Sequence, residues 1–345
     1  MGTLMGHILP GTFFAIFAVW WGFCVAARYF HSRRSIKKSR KSNSYRVATT
    51  FPCHCCPSAS LRQIPLESYI KLICVSIGIL GEAVTGLKHE YDDNLKRRAW
   101  TFIEVNAQHI TMFFSFGLAS FIEILVHGKY ALPQGIEFIA NILAFGVEGF
   151  LFHFHLHGRD EVDIHVHTLL VYNIAFCVIA GIWEFNRPNQ ILATYARTAG
   201  TLLQGAWFYA AGFILYFPSD DPYWRWLPGH KSILLITVMF IWLALVICIF
   251  LFIQSAIVWS ILKRRYGDTE DYSALNNLDE GDEDDDDDQV FIESRAKSVN
   301  SNNHQLKSMK TTNGQAATTV QMHQNDDDSD SQIEFDQRQP YSSKI

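Results

Sequence analysis

Seven stretches of mainly apolar residues, roughly 7–30, 66–87, 106–127, 134–156, 163–184, 190–216 and 232–262, constrain this chain more than any other feature. Each is long enough for a helix that crosses a bilayer, which takes about 20 such residues. A backbone in lipid must satisfy its own hydrogen bonds, so the stretches predict helices rather than open strands. The expected fold is an all-α membrane protein, a seven-transmembrane-helix bundle. Composition agrees: 49% of the 345 residues are hydrophobic and only 18% are charged, which excludes an ordinary soluble enzyme. The first stretch has no basic residues before its apolar run and carries its charges after it, so it reads as a retained anchor and not a cleaved signal peptide.

Charge divides the chain in two. Residues 266–345 hold 6 Lys/Arg against 19 Asp/Glu, leaving 23 against 15 in residues 1–265. The predicted organisation is a seven-helix membrane domain over 1–265 and a disordered acidic cytosolic tail over 266–345, because the tail has no apolar clusters with which to build a core. Basic residues beside spans stay in the cytoplasm. The densest basic run, Arg28 to Arg46, follows the first span, and Lys263-Arg264-Arg265 follows the last. Both fall inside only if the N-terminus is exoplasmic and the tail cytosolic. The same topology explains the basic run, so nothing supports nucleic-acid binding.

Cysteines give a weaker check. Cys24, Cys74, Cys177 and Cys248 fall within spans, and Cys53, Cys55 and Cys56 fall in the first cytosolic loop, leaving none for an exoplasmic disulfide, as suits short outer loops. Cys53-His54-Cys55-Cys56 is too compact for a four-ligand zinc site and reads as a palmitoylation cluster beside a membrane-hugging basic loop. In the tail, Tyr272-Ser273-Ala274-Leu275 matches the Tyr-x-x-apolar pattern read by sorting adaptors. Gly78-x-x-Gly81, Gly146-x-x-Gly149 and the small residues from Ala206 to Gly212 suit close helix packing in lipid.

Ionisable groups are costly in a membrane and mark functional interiors. With the topology above, nine of the fourteen histidines lie at the exoplasmic ends of spans or in outer loops, with Glu82, Glu90 and Asp163 at similar depth. The densest segment runs from His153 to His167 across a turn at Gly158, which makes spans four and five antiparallel neighbours. His153 and His157 share one helix face, and Asp163 and His167 share another. The predicted polar site is His155, His157, Asp163 and His167, completed by His109 and His7. Such a donor set suits a divalent ion, Zn(2+) first. The alternative is a metal-free hydrogen-bonded network that charges between about pH 5 and 8. His155 projects opposite His153 and His157 on an ideal helix, so all three bind one ion only if the helix end frays. Glu148, about 10 Å deeper than His155 on nearly the same face, reads as a second-sphere or proton-carrying acid or as a hydrogen-bond partner of a neighbouring helix. Glu90 and Glu82 join it as supporting acids. Glu123 and Glu184, toward the inner side, are expected to snorkel to the interface, and Gln204 and Trp207 to act as interhelical glue.

These pieces resemble the transmembrane protein 45 family, a seven-span family of unknown function. The resemblance rests on Gly6-His7-Ile8-Leu9-Pro10-Gly11, Trp20-Trp21, Thr85-Gly86 with Glu90, and His109-Ile110-Thr111-Met112. It continues through Val147-Glu148, His155-Leu156-His157-Gly158-Arg159, Asp163 to His167 and Leu202-Leu203-Gln204-Gly205-Ala206-Trp207. It implies roles for His7, Glu90, His109, Glu148, His155, His157, Asp163 and His167, and none for His153 and His165. Leu243 departs from it, standing where the family has a histidine. Residence in Golgi, endosomal or plasma membranes is implied; no established reaction is.

Three function classes compete. The first is a structural or trafficking protein of the secretory and endosomal membranes, its partners the lipid bilayer and sorting adaptors, with the His/Asp cluster holding a divalent metal. The second is a metal-dependent membrane enzyme, a lipid hydrolase or oxygenase, working through that cluster. A seven-helix receptor fits less well, since the outer loops lack a cysteine pair. A transporter would call for a repeat or broken spans, and neither is visible. Replacing Tyr272 by Ala is expected to shift protein toward the cell surface, measured by surface biotinylation; an unchanged distribution refutes the sorting motif.

Overall fold

The computed structural model describes residues 3–39, 45–52, 64–92, 96–156, 158–216, 226 and 229–266. The described residues form seven long helices and one hairpin: α1 (Leu4–Ser39), α2 (Leu66–Gly86), β1 (Leu87–Asp92), β2 (Arg97–Phe102), α3 (Glu104–His127), α4 (Ile136–Phe154), α5 (Glu161–Asn186), α6 (Ile191–Tyr216) and α7 (His230–Tyr266). Six of the seven helices are long and apolar enough to cross a membrane. The exception is α6, whose Arg197, Thr198, Thr201 and Gln204 are all buried. It packs against α1, α5 and α7, so its polar groups meet protein and not lipid. The chain is an integral membrane protein of the all-α class. The palmitoylation cluster Cys53, Cys55 and Cys56, the sorting motif Tyr272 and Leu275, and the acidic tail beyond Tyr266 lie outside the described residues.

The tightest crossing joins α1 to α6. A Cβ on Gly205 would sit 2.6 Å from the Ala15 backbone nitrogen, and one on Gly11 would sit 3.0 Å from the Gly205 carbonyl oxygen. Small residues at these positions let the two backbones touch. Of the small-residue pairs singled out in the sequence, Gly78 receives the Phe113 ring and Gly149 faces Ile174, whereas Gly81 and Gly146 face open space. In the third stretch, Gly212 meets His7 and Leu4 of α1, 3.1 and 3.2 Å from where its Cβ would be.

Polar networks close the end of the bundle that carries the basic loop. Glu67 accepts from the indoles of Trp20 (3.0 Å) and Trp21 (2.7 Å) and from the Phe51 amide (2.9 Å), and pairs with Lys71 at 2.8 Å. Lys71 also reaches Glu123 at 3.1 Å, and Ser68 and Asn141 donate to the same carboxylate. Arg197 pairs with Glu184 at 2.5 Å. Glu123 and Glu184 are only 2% and 1% exposed, so neither snorkels as expected. Each has a cation within reach, which a one-dimensional reading of depth does not reveal. The segment after α1 is tied down here, with Val47 donating to the Pro188 carbonyl and the Tyr45 hydroxyl to Thr194.

At the opposite end, α2 runs into a hairpin in which Leu87 pairs with Phe102 and Asp92 with Arg97. The expected short loop is thus a small sheet; Tyr91, Trp100, Thr101 and Phe102 are strand-favouring residues. Gly205→Ala is expected to cost about 1–3 kcal/mol through backbone overlap, read as a lower melting temperature in detergent, while Gly81→Ala leaves melting unchanged.

Candidate functional site

The histidine end of the bundle is built by the turn between α4 and α5. Gly158 takes a positive φ of 77°, a conformation costly for other residues, and reverses the chain within a few residues. Asp160 then caps α5, its side chain accepting from the Asp163 amide at 2.9 Å. Arg159 ties the two helix ends together. It donates to the His155 carbonyl (2.9 Å), to Asp163 (2.7 Å) and to the His155 ring nitrogen Nε2.

Four predicted histidines form a continuous row across α1, α3, α4 and α5. The ring centroids of His109 and His155 lie 5.5 Å apart, those of His155 and His167 5.8 Å, and those of His167 and His7 5.7 Å. Close packing of α1 on α6 places His7 here, against Gly212 and the Tyr216 ring. Thus residues separated by 160 positions in sequence meet. His157 lies outside the described residues. Glu90 stands in β1 opposite Ala99, and its side chain is likewise undescribed. His165 turns away to Thr237, and His153 packs on Phe154, so neither joins the row.

Hydrogen-bond partners fix the orientation of each ring. The Thr3 carbonyl can only accept, so His7 donates through Nδ1 (3.0 Å). His167 donates through Nδ1 to the Asp163 carbonyl (2.9 Å); the same nitrogen lies 2.7 Å from Asp163 Oδ1, an oxygen that receives no aligned hydrogen bond from a described residue. His109 Nδ1 meets the Glu82 carboxylate at 3.0 Å, and Asn106 donates to the other Glu82 oxygen at 2.7 Å. In His7, His109 and His167 the Nδ1 atom is thereby engaged, and no described residue donates to Nε2. His155 differs. Its Nδ1 meets Gln108 Oε1 at 2.7 Å and its Nε2 accepts from Arg159, so both nitrogens are engaged.

A cavity of about 520 Å³ opens beside the row. His7, His109, His155, His167, Glu82 and Glu148 supply its polar wall, while Phe14, Phe113, Phe116, Phe152 and Phe208 supply an aromatic floor. Glu148 is 3% exposed and both its oxygens accept from Gln204 Nε2 at 2.8 Å. This is the interhelical bond anticipated for both residues, yet Glu148 also faces the cavity. Among the described residues, no basic side chain lies within ion-pair distance of it, and no group of three or more His, Cys, Asp or Glu is arranged to hold a metal ion.

Arg159 and Gln108 were not singled out as site residues by sequence. Arg159 is four residues from both His155 and Asp163, but a turn intervenes and helical spacing carries no information across it. Gln108 stands beside His109 in α3, where a neutral amide gives no signal of its own.

A model of a family of unknown function (DUF716) matches residues 134–256. That range spans α4 to α7 and so includes Glu148, His155, Asp163, His167 and Gln204, but not His7, Glu82 or His109. The chain is 28% identical over 138 residues to transmembrane epididymal protein 1 of Homo sapiens, a match covering 39% of this chain and half of that relative. It is 23% identical to transmembrane epididymal protein 1A of Mus musculus over 253 residues, covering 70% of this chain and 76% of the relative. Over 255 residues it is also 23% identical to transmembrane epididymal protein 1 of Rattus norvegicus. The chain is thus similar to transmembrane proteins and to a family of unknown function; these matches do not carry the transmembrane protein 45 name.

Proposed function

We propose that this chain is a multi-pass protein of the secretory and endosomal membranes, akin to the transmembrane protein 45 family, whose histidine end faces the exoplasm and binds an amphipathic molecule drawn from the bilayer. The cavity carries this reading. Its volume of about 520 Å³ falls in the range of small-molecule sites, and its lining is divided between an aromatic floor and a polar wall, as a two-part ligand requires. α1 lies along α6 and reaches α3 through long side chains such as Phe14 on Phe116, with ring centroids 5.5 Å apart. The seam between α1 and the α2–α3 pair is the entry from lipid in this reading. The acidic tail, with Tyr272 and Leu275 as an adaptor motif, then governs where the protein resides.

A divalent ion is the second reading, favoured by one observation: three imidazoles are each anchored through Nδ1 to a carbonyl or carboxylate, the arrangement that orients ligating histidines in metal sites. Since the described residues bring no three such groups into a ligating arrangement, this reading requires His7, His109 and His167 to draw together around the ion through Nε2, with Zn(2+) first, and an enzyme of the lipid hydrolase or oxygenase type would build on it. His155 is unsuited to ligation while Arg159 occupies its Nε2.

The readings separate on purified full-length protein. Native mass spectrometry of protein extracted from membranes is expected to show a bound lipid-like molecule, and Phe116→Trp, which fills the floor, is expected to lower its occupancy about tenfold, as loss of roughly 1.4 kcal/mol would. Wild-type protein without any bound amphiphile overturns the first reading. For the second, stoichiometric transition metal in protein purified without chelators is required, and its loss in His7→Ala with His167→Ala.

A further inference from the structure

The polar wall of the cavity is unusually one-sided in its hydrogen-bonding capacity. Groups able to accept face inward: the Nε2 atoms of His7, His109 and His167, and the carboxyl groups of Glu82 and Glu148. Apart from the exposed Thr3 hydroxyl, which accepts from the Gly6 amide, most donors nearby are already committed. Asn106 donates to Glu82 and Thr85, Gln204 donates to Glu148, and Arg159 is spent on His155 and Asp163. Lys88 lines the cavity only where the hairpin leaves α2, and it is exposed. An anionic head entering this space meets lone pairs, whereas a head rich in N–H meets partners for every proton.

Glu148 sharpens the asymmetry. Every other buried carboxylate described in the bundle interior has a cation beside it: Glu67 and Glu123 share Lys71, and Glu184 has Arg197. Glu148 has an amide alone. A carboxylate buried without a counter-charge is destabilising, and this one borders a cavity instead of packed side chains. The nearby aromatic faces of Phe14, Phe116 and Phe208 also suit a positive charge.

We propose that the occupant of this cavity is a cationic amphiphile, a long-chain primary amine whose ammonium donates to Glu148 and to the open Nε2 atoms, with its chain against the phenylalanine floor. The proposal rests on the amphiphile reading above and adds the charge of the head. It is tested on full-length protein in nanodiscs with three photoreactive probes of equal chain length, an amine, an alcohol and a carboxylate. The expected result is saturable crosslinking of α1 and α3 by the amine, at least about tenfold tighter than by the other two, a preference worth roughly 1.4 kcal/mol or more. Glu148→Gln is expected to abolish the preference, bringing amine labelling down to that of the alcohol, while its melting temperature in detergent does not fall below that of wild type, which shows that the variant is folded. Equal labelling by all three probes overturns the cationic head but leaves the amphiphile reading standing. No saturable labelling by any probe overturns both. Tighter binding of the carboxylate, or an amine preference that survives Glu148→Gln, also overturns the proposal. Zn(2+) alone is the last arm: if it binds stoichiometrically, blocks the amine and is lost in His7→Ala, the cation is a metal and the amine is wrong.

Discussion

The backbone contact between α1 and α6 at Gly11 and Gly205 holds both ends of the bundle in place. Were either residue larger, α1 would move outward, and α1 contributes to each polar assembly. At one end it brings His7 to within ring contact of His167. At the other it sets Trp21 over the Arg197 guanidinium at 4.4 Å and supplies two indole donors to Glu67. In lipid, helix association gains nothing from expelling water between apolar faces, so close approach and interhelical hydrogen bonds must supply it. Here the first makes the second possible.

The helices then carry their polar residues as stripes. On α4 the residues Asn141, Glu148 and His155 recur every seven positions, so one face presents an amide, a carboxylate and an imidazole from one end of the bundle to the other. α5 runs antiparallel to it with His167 near its start and Glu184 near its end, and α6 adds Arg197 and Gln204. The stripes meet in the bundle interior, which leaves the lipid-facing surfaces apolar: Ile73, Ile179, Phe252 and Trp242 are among the exposed large side chains. Exposed apolar residues are ordinary for a surface that meets hydrocarbon instead of water.

Much of this was legible without coordinates. Seven apolar runs predict seven helices, and alternation of direction from one run to the next places His7, His109, His155 and His167 at one end whatever the details of packing. What sequence could not supply was lateral position. Depth along a helix follows from rise per residue, but whether Glu123 points to the interface or to Lys71 depends on which helices are neighbours. The same ignorance hid the Gly11–Gly205 crossing, because the spacing of Gly11 and Ala15 marks a small-residue face without saying which helix it meets, and it hid Arg159, whose partners are joined by a turn. The hairpin was missed for a different reason. Its residues fall between spans, where hydropathy is silent and only the strand preference of Tyr91, Trp100 and Thr101 spoke.

Glu148 poses the question that packing alone leaves unanswered. If its role were to tie α4 to α6, a glutamine would serve as well, since an amide carbonyl accepts from Gln204 Nε2 without the cost of a buried charge. The carboxyl group adds a charge or a titratable proton, and the charge is what the bundle neutralises wherever else it buries an acid. At the basic end neutralisation comes from Lys71 and Arg197, residues of the chain itself. At Glu148 the adjacent space is a cavity with inward-facing acceptors and an aromatic floor. Compensation there has to come from a proton or from a molecule that enters, and the room beside the carboxylate far exceeds what a proton requires.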